Sequence, residues 1–106
     1  MTDRRLLLPV QKLLLDAADY IEKHGWDQGQ YFGEERRACM VGAMIAAADP
    51  KRTLRVESVE RKIRPAINYM LDRLGESPID WNDRDGRTKQ EVMQALRDGA
   101  AAYTKD

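Results

Sequence analysis

The chain has 106 residues, 42% of them hydrophobic and 34% charged, a composition that excludes a disordered tail and leaves room for about one compact domain. Eighteen Lys and Arg balance eighteen Asp and Glu, so the overall basic excess of a generic nucleic-acid binder is absent. A single Cys excludes an intramolecular disulfide and points to a reducing compartment.

The N-terminal run Met1–Leu8 imitates a secretory leader, but Pro9, Gln11 and Lys12 interrupt it after three leucines. The longest apolar stretch, Cys39–Ala48, is half the length of a membrane span, so the expectation is a cytoplasmic protein with no membrane partner. Leu7, Val10, Leu14, Ala17 and Ile21 recur three and four apart and predict an amphipathic helix from about Leu8 to Lys23. Pro9 fits its first turn and Gly25 its C-terminal cap. Residues 25–36 hold three glycines and three of the seven aromatics, Trp26, Tyr31 and Phe32, and predict a loop.

Arg37–Asp49 predicts a second helix, apolar all round and therefore central to the core. Residues 51–64 carry six Lys/Arg against two Glu, a net of +4. Helical spacing returns at Val59, Ile63, Ile67, Met70 and Leu74, with Pro65 inside it. A kink or two helices, 55–63 and 65–74, is expected, and Gly75 caps the end. Residues 76–86 have four acids and one Arg, a net of −3, and predict a loop in which Gly86 takes positive φ. Thr88 and Glu91 form a capping box that opens a last helix with Val92, Leu96, Ala100 and Tyr103 on one face. The fold class is all-α, a single-domain bundle over 1–106 with four or five helices.

The strings His24-Gly25-Trp26-x-x-Gly29, Cys39-x-x-Gly42-Ala43, Trp81-Asn82-Asp83 and Arg87-Thr88-x-x-Glu91-Val92 resemble a family of small bacterial and phage proteins of unknown function. The likeness runs from about residue 13 to 97. It implies a self-contained domain of the kind carried on mobile elements, and it implies no activity, cofactor or catalytic residue.

Cys39, His24 and Asp83 are the residue types of a nucleophilic site. The alternative is that Cys39 is a small buried residue and His24 a helix-end polar group. The acidic loop fits no calcium register. Anchored on Gly86, it puts Trp81 at position 1 and Val92 at position 12. One His and one Cys, fifteen residues apart, make no zinc site. No metal, cofactor or catalytic residue is therefore assigned.

Along 51–64, Glu57 is placed to pair with Arg61 at i, i+4, which favours a solvated face over a phosphate-binding one. The expectation is a non-enzymatic binding protein that contacts a protein partner, or itself, through its tryptophan-bearing loops. Trp26, Tyr31, Trp81, Asn82, Asp83 and Arg87 are the candidate contact residues. A cysteine-dependent enzyme and a weak nucleic-acid binder using 51–64 are the rival readings.

Overall fold

A computed structural model describes residues 3–104; Met1 and Thr2 of the leader-like run lie outside them. Among the described residues five α-helices follow in order: α1 Pro9–His24, α2 Met40–Ala48, α3 Val56–Leu74, α4 Pro78–Asn82 and α5 Lys89–Ala102. Single 3-10 turns precede α1 at Arg4–Leu6 and α2 at Glu34–Arg36. Among the described residues there is no strand, only two isolated bridges that join Trp26 and Phe32 to Ala38. The protein is all-helical, and its Cα radius of gyration of 12.7 Å matches the roughly 13 Å of a hundred compact residues.

The helices form where side-chain period and end chemistry agree. In α1, Pro9 takes the first position and Val10, Leu14, Ala17, Ala18 and Ile21 are buried. That is the predicted stripe, with Leu7 half-buried at its edge. Gln11 accepts from the Leu8 N–H (3.1 Å) and donates to the Ala100 carbonyl (3.1 Å), tying the start of α1 to α5. At the head of α5, Thr88 and Glu91 cap each other's backbone N–H at 3.2 and 2.9 Å, as the sequence predicts. Tyr69 donates to the Gly99 carbonyl (2.6 Å) and its ring meets Tyr103 edge-on, closing α3 on α5.

Helix α2 is the buried centre. Met40, Val41, Gly42, Ala43, Met44 and Ala48 are all inside it, between α1 and α3. It starts three residues later than the sequence predicts. Residues 37–39 give their backbone groups to the preceding loop: the Ala38 N–H donates to the Gly25 carbonyl (3.1 Å), and the Ala38 carbonyl accepts from Asp27 (3.1 Å). Arg37 likewise accepts from Gly33 (2.7 Å). Cys39 is consequently the N-cap, its Sγ accepting from the Gly42 N–H at 3.3 Å, and does not lie inside the helix as predicted.

Two more expectations change. Of the two forms expected around Pro65, a kink or two helices, the second does not occur: Val56–Leu74 is one helix of 19 residues. Pro65 and Arg61 are both exposed, so the Arg61 carbonyl, which loses its helical donor at Pro65, is open to water. The second loop contains α4, in which Ser77 accepts from the Asp80 N–H (3.1 Å) and Pro78 occupies the first position.

Gly42 lies directly under the Tyr31 backbone, and a Cβ there would collide with the Tyr31 carbonyl. Gly99 faces the flexible tip of Met70, whose Sδ would be 2.9 Å from an added Cβ. Gly42→Ala is therefore expected to destabilise by about 1–3 kcal/mol, the usual cost of overpacking a rigid contact. Gly99→Ala is expected to cost less, because a methionine tip can move. Denaturant unfolding of the two variants checks the order.

Candidate functional site

The tryptophan-bearing loops meet at Asn82, the last residue of α4, which is fully buried. Its Oδ1 accepts from Trp26 Nε1 (2.7 Å) and from the Met40 N–H (3.0 Å). Its Nδ2 donates to the Asp27 carbonyl (3.1 Å) and to Asp83 Oδ1 (2.9 Å). One amide thus satisfies groups from the first loop, from the head of α2 and from its own chain neighbour, the full satisfaction that a buried polar group requires. Asp83 Oδ1 also accepts from the Gly29 N–H (3.0 Å), and Gln28 Nε2 donates to the Asn82 and Arg84 carbonyls (both 3.0 Å). Nearby, hydrogen bonds from the Gln30 side chain and the Gln28 N–H hold the Asp27 carboxyl below its usual range.

Arg87 and Trp81 form a second pair. The Arg87 guanidinium stacks 3.6 Å over the Trp81 ring, its Nε donates to the Trp81 carbonyl (2.9 Å), and it lies 3.5 Å from Glu91. Five of the six candidate contact residues, Trp26, Trp81, Asn82, Asp83 and Arg87, thus have partners inside the molecule. Tyr31 differs: its ring is 51% exposed.

The residues of the nucleophile reading are not assembled. Cys39 is buried, its Sγ accepts a backbone N–H, and burial pushes its thiol above the usual range. His24 stacks on Tyr20 at 4.4 Å and lines a recess with Phe32, Ala46 and Arg52. Cys39 and Asp83 line a different one with Tyr31 and Ile79. No hydrogen bond joins His24 to Cys39 or Asp83 among the described residues. The His24 pKa is lowered, first by desolvation and then by Arg36, Lys23 and Arg52, which favours the neutral ring. Among the described residues no group of three His, Cys, Asp or Glu is placed to hold a metal ion, and no helix is long and apolar enough to cross a membrane.

A larger concavity than either of these recesses lies elsewhere. A groove of about 710 Å³ lies between α2, α3 and α4, with Tyr31 also lining it. Val41 and Ile45 come from α2, Val56, Val59, Ile63 and Ile67 from α3, and Pro78 and Ile79 from α4. Four of the seven exposed large hydrophobic residues among those described line it: Tyr31, Leu54, Val56 (70% exposed) and Ile79. Contiguous exposed apolar surface of this kind marks interaction sites more often than scattered single residues do. Sequence periodicity placed Ile63 and Ile67 in the core stripe of α3. The signal it passed over was that Val56, Ile67 and Leu71 widen this stripe along one flank of the helix.

Charge around the groove also departs from expectation. The predicted Glu57–Arg61 pair does not form, and among the described residues no carboxylate lies within ion-pair distance of Lys51, Arg52, Arg55, Arg61, Lys62 or Arg64. Lys62 Nζ reaches the Ala48 carbonyl at 3.4 Å, and Asp49 spends its carboxylate on the Thr53 and Leu54 N–H groups (2.9 and 3.2 Å).

Asn82→Ala strands the Trp26 and Met40 N–H groups and the Asp27 carbonyl, and is expected to cost about 3–5 kcal/mol by chemical denaturation. Trp26→Phe leaves Met40 on Asn82 Oδ1 and is expected to cost about 1 kcal/mol. In the folded protein Cys39 is expected to react with an aromatic disulfide reagent at neutral pH about a hundredfold more slowly than in denaturant, because the thiol is both protonated and covered.

No curated protein and no solved structure matches the chain. The model of a family described as a family of unknown function (DUF6197) matches residues 6–102, nearly the whole length, and the protein belongs to that family.

Proposed function

We propose that this is a non-enzymatic binding protein whose working face is the groove between α2, α3 and α4, with the exposed Tyr31 in its lining. The observation that carries the reading is the concentration of exposed apolar side chains there: Tyr31, Leu54, Val56 and Ile79 share one concavity. The tryptophans support the reading indirectly. Trp26 and Trp81 brace the loops that present Tyr31 and Ile79 to the groove. An enzyme built on Cys39 finds no support, since the thiol is buried and His24 lines another recess. A cytoplasmic setting in a bacterium or phage fits the single reduced thiol and the family resemblance.

Val56→Glu and Ile79→Asp place charges in the groove at exposed positions, where a folded chain tolerates them. Both are expected to keep the wild-type helical circular dichroism. Each is expected to lose, by about tenfold or more, the protein partner that the immobilised wild-type chain retains from its own host. Retention that survives both substitutions would place the working face elsewhere.

A further inference from the structure

A second concavity lies where α1 and α2 end. It holds about 450 Å³, within the size range of small-molecule pockets, and its lining includes Tyr20, His24, Phe32 and Arg52. The rings form a chain: His24 lies 4.4 Å from Tyr20, and Phe32 meets Tyr20 edge-on at 6.4 Å. Phe32 is exposed, and neither ring nitrogen of His24 takes part in a hydrogen bond among the described residues.

Charge around this recess is lopsided. Arg52 lines it, Tyr20 donates to the Arg36 carbonyl (2.9 Å) and so ties Arg36 to its edge, and Lys23 precedes His24 in the last turn of α1. None of the three has a carboxylate within ion-pair distance among the described residues. Burial apart, the charges that act on the His24 ring are Arg36, Lys23 and Arg52, all positive. The acid in the lining, Asp49, accepts the Thr53 and Leu54 N–H groups with its two oxygens, and Glu22 is turned to Arg97 (3.0 Å). Glu34 and Glu35 precede Arg36, and neither is among the charges acting on the ring. Arg36 and Arg52 also share a backbone state. Both lie in the left-handed region, with φ 67° and 54°, and Glu35 is the third non-glycine residue there among those described. A long side chain in that region carries strain that glycine avoids, and such strain collects at ligand sites.

We propose that this recess, apart from the groove, binds a flat aromatic ring carrying a phosphate, the chemistry of a mononucleotide. The ring lies against Phe32 and His24, and the phosphate meets the guanidinium groups of Arg52 and Arg36, whose planar forks match its oxygens. α1 and α2 present their negative ends here, so the side chains and not the helices hold the anion.

The test uses the untagged full chain. It has one histidine, so the imidazole C2–H proton gives a single NMR reporter. Adenosine 5′-monophosphate is expected to shift that resonance saturably, with a Kd below about 1 mM. Adenosine and inorganic phosphate, each alone, are expected to bind at least about tenfold more weakly. Arg52→Gly and Arg36→Gly remove a guanidinium and relieve the left-handed backbone together. Each is expected to weaken the nucleotide about tenfold while the thermal midpoint stays at or above that of the wild type, an outcome that a merely structural arginine would not give. Phe32→Ala, at an exposed position, is expected to weaken the nucleotide and leave phosphate unchanged. A 5′-phosphorylated single strand of about ten nucleotides separates two sources of the same chemistry: affinity equal to that of the mononucleotide assigns a free nucleotide, and affinity about tenfold higher assigns a strand end. Val56→Glu, in the groove, is expected to leave nucleotide binding intact. No saturable shift, equal affinity for the nucleotide and either of its halves, binding that survives both glycine substitutions, or binding lost in Val56→Glu overturns the proposal.

Discussion

A single carboxamide holds the irregular half of this molecule in place. The loop between α1 and α2 has no periodic structure of its own, and its backbone pairing is confined to a few bonds around Arg37, Ala38 and Cys39. Asn82 supplies what the loop lacks. It caps the Trp26 indole, the head of α2 and the Asp27 carbonyl from one buried position. An aspartate could not donate to Asp27, and a leucine could not satisfy any of them, so the chemistry of the site demands an amide. Low local dielectric makes such a junction strong when complete and costly when any member is missing.

Around that junction the short motifs acquire physical meaning. Gly42 exists because the Tyr31 backbone crosses α2 at contact distance. Cys39 caps the helix start, and Asp83 holds the Gly29 N–H. Arg87 clamps Trp81, while Thr88 and Glu91 begin α5. These residues hold two loops to a helical frame. The valines and isoleucines that line the groove belong to no such short string.

The sequence was legible where one local rule decided the outcome. The α1 stripe, the α5 capping box, the Gly75 cap in the left-handed region and the positive φ of Gly86 all follow from neighbours within one or two turns. It was less legible where distant backbone competed. Residues 37–39 have helical neighbours but bond to the 25–33 loop, which delays α2, and nothing local announces that. Helix α4 was readable in principle from Ser77-Pro78, a cap followed by a proline at the first position, yet five residues give too short a period to detect. Pro65 illustrates the reverse: its local penalty is real, but packing of Ile63, Ala66 and Met70 on both sides of it keeps the helix whole. The groove was the least legible feature, because it is made by three helices whose mutual placement is tertiary.

The crossing of the Tyr31 main chain over Gly42 bears on how the protein would meet another molecule. The Cys39 N–H donates to the Tyr31 carbonyl at 3.2 Å, so the main chain beneath that exposed phenol is fastened at both the peptide and the packing level. An aromatic side chain has only two torsions to freeze. With its root already immobilised, the ring forfeits little disorder on contact, and most of what it gains by desolvation survives as affinity.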